Sequence, residues 1–172
     1  MSAILQRKPV ARSPEAVTEG LRAAEATCRE RGLQLTRIRR CVLECLWQSG
    51  QPVGAYEIIR MLKDAFGRTL SPPTVYRALE FLQHHGFVTR IETKNAFVPC
   101  AHPDHDHACV FFICERCGSS AEIENVRAEA LFEEDAVNLG FRIGKRVFEL
   151  QGTCADCLTA EAANASAVSS HP

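Results

Sequence analysis

Two Cys-x-x-Cys pairs of matching spacing, Cys114/Cys117 and Cys154/Cys157, constrain this chain more than any other feature. Four thiolates can close a tetrahedron around one zinc ion, and closing it forces the segment at 114–117 against the end of the chain at 154–157. The pattern therefore predicts a structural zinc that staples a small domain. A thiol redox switch is the main competing reading, because the same spacing supports disulfide exchange. A zinc deaminase is excluded, since its motif places His-x-Glu upstream of Pro-Cys-x-x-Cys and no His-x-Glu occurs in the sequence. The nine cysteines are an odd number, and no secretory leader is expected from the charged N-terminal residues, which favours reduced, metal-binding thiols over a disulfide framework.

The first pair closes a segment rich in further donors. Cys100, His102, His105, His107 and Cys109 exceed what a four-cysteine site needs, and Glu122 lies on the neighbouring predicted strand. Together they point to a second site of mixed sulfur, nitrogen and oxygen ligands. A solvated polar loop is the bland alternative. A catalytic zinc would need a cleft, an open coordination position and a general base, and the sequence identifies none of these, so no enzyme and no small-molecule substrate are expected. A thiolate beside imidazole and carboxylate suits zinc better than ferrous or manganous ions.

Net charge is uninformative until the chain is divided. Residues 1–95 hold 15 Lys/Arg against 9 Asp/Glu, whereas residues 96–172 hold 5 against 12. A basic N-terminal half is the footprint of a phosphate binder, although solvated helix faces give smaller imbalances of the same kind. No apolar run is long enough to cross a membrane, and a cytoplasmic location is expected.

Periodicity predicts an α+β fold. Residues 1–13 read as a flexible arm. Ser13-Pro14-Glu15 starts a helix in which Val17, Leu21, Ala24 and Cys28 recur at helical spacing up to Gly32. Thr36 starts a second helix, with Arg37, Arg39 and Arg40 in its opening turn and Ile38, Val42, Cys45 and Leu46 on its buried stripe. A third runs from about Ala55 to Phe66. The fourth starts at Ser71-Pro72-Pro73 and reaches about His85, with Val75, Ala78, Leu79 and Leu82 inward and Thr74, Tyr76 and Arg77 outward.

Two short strands, Phe87–Glu92 and Asn95–Val98, follow with a turn at Thr93-Lys94. Residues 14–95 thus read as a winged helix-turn-helix domain, 96–99 as a hinge and 100–160 as a small α/β metal-binding dimerisation domain. In the latter, Val110–Ile113 and Ser120–Glu124 form a hairpin around the first knuckle, and Asn125 caps a helix to Leu139. Phe141–Leu150 then reads as a long strand leading to the second knuckle. The Ala/Ser-rich stretch 161–172 reads as a disordered tail.

The fourth helix is the one that enters the major groove in a winged helix, and an exposed arginine there is suited to a bidentate contact with guanine. Ordinary surface is the alternative for Thr74, Tyr76 and Arg77. Cys28, Cys41 and Cys45 fit small core hydrophobes, and His84 and His85 fit the cation-favouring end of a helix.

Leu35-Thr36 with Arg39, Ala55-Tyr56, Pro73-Thr74-Val75-Tyr76-Arg77-Ala78-Leu79, Gly86-Phe87-Val88 and the Cys-x-x-Cys pairs resemble the ferric uptake regulator family over about residues 18–158. Asn95–Cys100 and Phe112–Gly118 look like its zinc uptake regulator branch. The resemblance implies a zinc-loaded homodimer that pairs through its C-terminal halves, binds a pseudo-palindromic duplex operator and represses zinc acquisition genes. Another metal- or redox-responsive regulator of this family, or a zinc-buffering protein, is the alternative.

By the same resemblance, Cys100, His107 and Glu122 match regulatory ligands, and Tyr56 and Arg77 match base-reading residues. Arg37 and Arg39 are expected on phosphates. One position departs from the branch: Thr89 stands where a ligating histidine is usual, which makes His102 or His105 the nearest replacement.

Overall fold

A computed structural model describes residues 13–100, 109–144 and 146–168, apart from the side chains of Cys109, Glu124 and residues 162–168. The described residues fall into two compact units, divided between Cys100 and Cys109.

The N-terminal unit is built on four helices. In α1 (Pro14–Glu30) the Ser13 side chain accepts a hydrogen bond from the Ala16 N–H at 3.3 Å, and proline occupies the first turn, where its missing N–H costs nothing. Val17, Leu21, Ala24 and Cys28 are all buried, as their spacing predicts. α2 (Arg37–Ser49) starts at Thr36 through the backbone only: the Thr36 carbonyl accepts from the Arg40 N–H, and its side chain makes no capping bond. α2 packs against α1, α3 (Ala55–Phe66) and α4 (Pro72–His84). Gly50 and Gly67 close α2 and α3 at φ near +62°, where a Cβ would be strained.

Val42, Leu46, Ile58, Leu62, Val75 and Leu82 are completely enclosed at the centre of this unit. Each such side chain contributes about 1.5–3 kcal/mol of burial free energy, so the four helices share one apolar core. Cys28 and Cys45 are part of this core, with Cys41 packed against it. Desolvation pushes the Cys45 thiol up to about 11, which makes it an inert hydrophobe.

A wing completes the unit. Its sheet has the order β1-β3-β2, with β1 (Val53–Gly54), β2 (Val88–Ile91) and β3 (Ala96–Pro99) antiparallel. The Thr93-Lys94 turn lies between β2 and β3, and Asn95 takes φ +46° there. Residues 96–99, read from sequence as a hinge, form the central strand: all four pair with β2 and are buried, and Ala96 and Phe97 also pair with β1. Cys100 belongs to this unit as well, since its N–H donates to the Phe87 carbonyl at 3.0 Å and it is only 6% exposed. A two-residue β1 is too short to carry a legible alternation, so the double pairing of β3 was hidden.

The C-terminal unit has a sheet of order β5-β4-β6. β4 (Cys109–Cys114) and β5 (Ser120–Glu124) form the predicted antiparallel hairpin, and β6 (Val147–Gly152) runs parallel to β4. α5 (Val126–Asn138) connects them, capped by the Asn125 side chain, which accepts from the Ala128 N–H at 3.1 Å. The strand expected from Phe141 begins only at Val147. Phe141 instead closes α5, its N–H donating to the Ala136 carbonyl at 2.8 Å beside Gly140 at φ +66°.

Part of the stretch read from sequence as a disordered tail, residues 161–168, lies in a helix. A helix, α6, spans Ala155–Val168, because alanine, read from composition as low complexity, is the strongest helix former. Residues 169–172 and the arm 1–12 lie outside the described residues.

Candidate metal centre and nucleic-acid interface

Each cysteine pair sits where a strand gives way to a tight turn. Cys114 ends β4, and the Gly118 N–H returns to its carbonyl at 3.0 Å, while φ +76° at Gly118 lets the chain reverse toward β5. Cys154 and Cys157 lie at the opening turn of α6, directly after β6. The two turns are tied by the Glu115 N–H, which donates to the Gly152 carbonyl at 2.9 Å. Parallel pairing of β4 with β6 ends at Cys114 opposite Gly152, and this register delivers both pairs to one end of the sheet.

The four sulfurs all lie within 4.8 Å of one another. Cys114 Sγ is 3.9 Å from Cys157 Sγ, and Cys117 Sγ is 3.7 Å from Cys154 Sγ. A tetrahedral zinc with bonds of about 2.3 Å needs sulfurs about 3.8 Å apart, so the donor set fits that ion in both chemistry and size.

The surroundings favour thiolates unequally. Backbone N–H groups of Cys117 and Cys154 hold the Cys114 thiol down to about 6, the Cys154 N–H donating to its sulfur at 3.4 Å. Cys117 is lowered chiefly by the Ser119 hydroxyl, 3.0 Å from its sulfur. Cys157 is pushed up to about 12, first by its contact with Cys154 and then by desolvation. Four thiols this close cannot all ionise without a cation among them, and a divalent ion removes that obstacle. Ser119 and the Cys154 amide were not singled out from sequence; a serine directly after the knuckle glycine was the only available signal.

Of the second predicted set, His102, His105 and His107 lie outside the described residues, as does the Cys109 side chain. Cys100 is buried on the wing, and Glu122 is half-buried on β5, paired across from Phe111. Thr89 is buried in β2 opposite Val98, and strand alternation puts it on the same face of the wing as Cys100.

The candidate nucleic-acid residues divide into two groups. Thr74, Tyr76 and Arg77 are exposed on the first half of α4, and Tyr56 is 72% exposed on the first turn of α3. Ser71 and Thr74 hydroxyls are 2.7 Å apart and stiffen the start of α4. The arginines at the opening of α2 are engaged within the protein. Arg37 donates to the Ala65 carbonyl at 3.1 Å and lies over the Phe66 ring at 4.9 Å. Arg39 donates to the Gln34 carbonyl at 2.6 Å, with its guanidinium carbon 3.4 Å from the centroid of Phe81. Arg40 pairs with Glu25 at 2.9 Å and Glu44 at 3.3 Å. Side-chain partners of this kind leave no mark on the helical periodicity from which α2 was read.

Comparison with known proteins matches residues 30–151 to the model of the ferric uptake regulator family. The chain is similar to the zinc uptake regulation protein of Escherichia coli K12, with 37% identity over 145 residues that cover 84% of each chain. It is also similar to a solved zinc uptake regulator complexed with zinc and DNA, at a TM-score of 0.80 and 36% identity, covering 85% of this chain and 97% of that one. The crystal structure of holo XcZur gives a TM-score of 0.74 and 43% identity, covering 82% of this chain and 98% of that one.

Proposed function

The chain belongs to the ferric uptake regulator family, and from that premise we propose that it is a zinc-responsive transcriptional repressor. Its zinc-loaded homodimer binds duplex operator DNA in the cytoplasm and represses zinc uptake genes. The observation that carries this reading is the coexistence, in one chain, of a four-thiolate cluster of zinc dimensions and a winged helix whose fourth helix presents Thr74, Tyr76 and Arg77 outward. No helix among the described residues is long and apolar enough to cross a membrane.

The zinc would tie the β4–β5 turn to the start of α6 by balancing the charge of Cys114, Cys117, Cys154 and Cys157. This bond matters because the C-terminal unit buries so little: Val110, Phe111, Ile113, Cys114 and Ala136 are its buried apolar residues among those described. Leu131, Val137, Leu139 and Phe141 remain more than half exposed, and Phe112 and its cross-strand neighbour Leu150 are about half exposed. Phe132 stacks on Phe148 at 4.6 Å beside a cavity of about 300 Å³. An apolar surface of this kind is what a second copy of the chain would cover, which supports the homodimer.

Cys100, His107 and Glu122, with His102 or His105, form the proposed regulatory zinc set. Base reading falls to Tyr56, Thr74, Tyr76 and Arg77. Arg77→Ala should cost about 1–3 kcal/mol per half-site and flatten the preference among sequences, the amount one bidentate base contact supplies. Fluorescence anisotropy with a duplex selected by the wild-type protein from a random pool measures it. Equal affinity of Arg77→Ala and wild type for that duplex would remove Arg77 from the base-reading set.

A further inference from the structure

We propose that Arg37 and Arg39 are positioning residues that hold the two DNA-facing helices in place from behind, and that neither of them takes a phosphate. The inference rests on the DNA-binding reading above and goes beyond it in assigning what these two cations do.

The opening turn of α2 sends one guanidinium to each neighbouring helix. Arg37 reaches the last turn of α3, where the Ala65 carbonyl lacks a partner within its own helix, and covers the adjacent Phe66 ring. Tyr56 sits at the other end of that helix, nine residues away, or about 13 Å along the axis. Arg39 lies over the ring of Phe81, one turn after Arg77 on α4, and donates to the Gln34 carbonyl at 2.6 Å. Phe81 in turn packs against His85 at 4.5 Å, and the His85 carbonyl accepts from Arg31 at 3.2 Å. The C-terminal half of α4 is thereby held by a cation just after α1 and one from α2, and its N-terminal half is left to face DNA.

A guanidinium whose carbon lies 3.4 Å from a ring centroid, with an N–H on a carbonyl, is already oriented. Moving it to a phosphate would break both contacts. Two helices held in this way keep Tyr56 and Arg77 at a fixed mutual angle, and fixed geometry matters for base edges far more than for the sequence-independent phosphate field.

The test compares zinc-loaded full-length wild type, Arg37→Gln, Arg39→Gln, Phe81→Leu and Phe81→Trp, each checked for a cooperative melt. Binding is measured across a salt series to two probes, a duplex selected by the wild type and a random-sequence duplex. Arg39→Gln and Arg37→Gln are expected to lose about tenfold on the selected duplex, to stay within about twofold of wild type on the random one, and to keep the wild-type salt slope. Phe81→Leu should reproduce the Arg39→Gln loss even though it removes no charge, and Phe81→Trp, which keeps the stacking face, should restore binding. Phe81→Leu also carries the test should Arg39→Gln fail to fold.

A phosphate contact predicts the opposite: both duplexes weaken alike, and the slope of log K against log salt drops by about 0.9 for each phosphate lost, or about 1.8 per dimer. That result, or unchanged binding by both Arg39→Gln and Phe81→Leu, overturns the positioning role. Wild-type protein that selects no duplex from a random pool and does not bind the random-sequence duplex would instead overturn the DNA-binding reading itself.

Discussion

Cys117→Ser and Cys154→Ser are each expected to strip one zinc per chain, melt the C-terminal unit and convert the dimer to monomers. The expectation follows from how that unit is built. A unit of about 60 residues with so few buried side chains falls below the size at which an apolar core alone suffices, and a structural zinc supplies a share of stability comparable to that of a whole small domain. Cys117 is the more telling of the two, because it is exposed and lies outside the protein core, so its replacement leaves no cavity. The N-terminal unit has its own core and should keep its helical signal. Native mass spectrometry with analytical ultracentrifugation at low micromolar concentration checks both parts. A mutant that stays dimeric with an unchanged melting temperature would show that the cluster does not hold the fold.

Cys100→Ser is expected to do something quite different: to leave a folded dimer that retains one zinc per chain and no longer responds to added zinc. Cys100 is the softest donor of the proposed regulatory set and stands outside the four-sulfur cluster, in the other compact unit. Serine fills nearly the same volume at the edge of the wing, so the Phe87–Cys100 backbone pairing should survive. Thr89 provides a gain-of-function counterpart. It shares a face of the wing with Cys100, so Thr89→His projects an imidazole onto that face and should tighten the second zinc. If His102 or His105 completes the set in the present sequence, its replacement by alanine should repeat the Cys100→Ser loss. Zinc stoichiometry under native conditions, measured beside a zinc titration of duplex binding, separates these cases. Normal regulation by Cys100→Ser would remove that residue from the sensor.

The helices were the most legible part of the sequence because each was marked at both ends. Ser13-Pro14 and Gly32 bracketed α1, Ala55 and Gly67 bracketed α3, and the apolar spacing between the marks fixed the buried face. The metal cluster was legible for a similar reason: two equal spacings can meet only if the strands that carry them pair in register, and β4 and β6 do. Legibility ended where a long-range partner decided the outcome. The strand Ala96–Pro99 read as a hinge because its second neighbour, Val53–Gly54, is two residues long. Phe141 read as the start of a strand because its apolar character suited either role, and only the hydrogen bond to Ala136 assigns it to the helix end. The rings of Phe66 and Phe81 near Arg37 and Arg39 were likewise hidden, because charge is visible in the sequence whereas these neighbours meet only on folding.

The most direct measurement is a zinc titration of duplex binding by the wild-type protein, starting from a form that keeps its four-cysteine zinc and has lost the weaker one to a chelator, as verified by native mass spectrometry. A zinc-responsive repressor predicts that the selected duplex is bound at least about tenfold more tightly once the second zinc is restored, with protein dimeric throughout. Equal affinity with one zinc and with two per chain would contradict it.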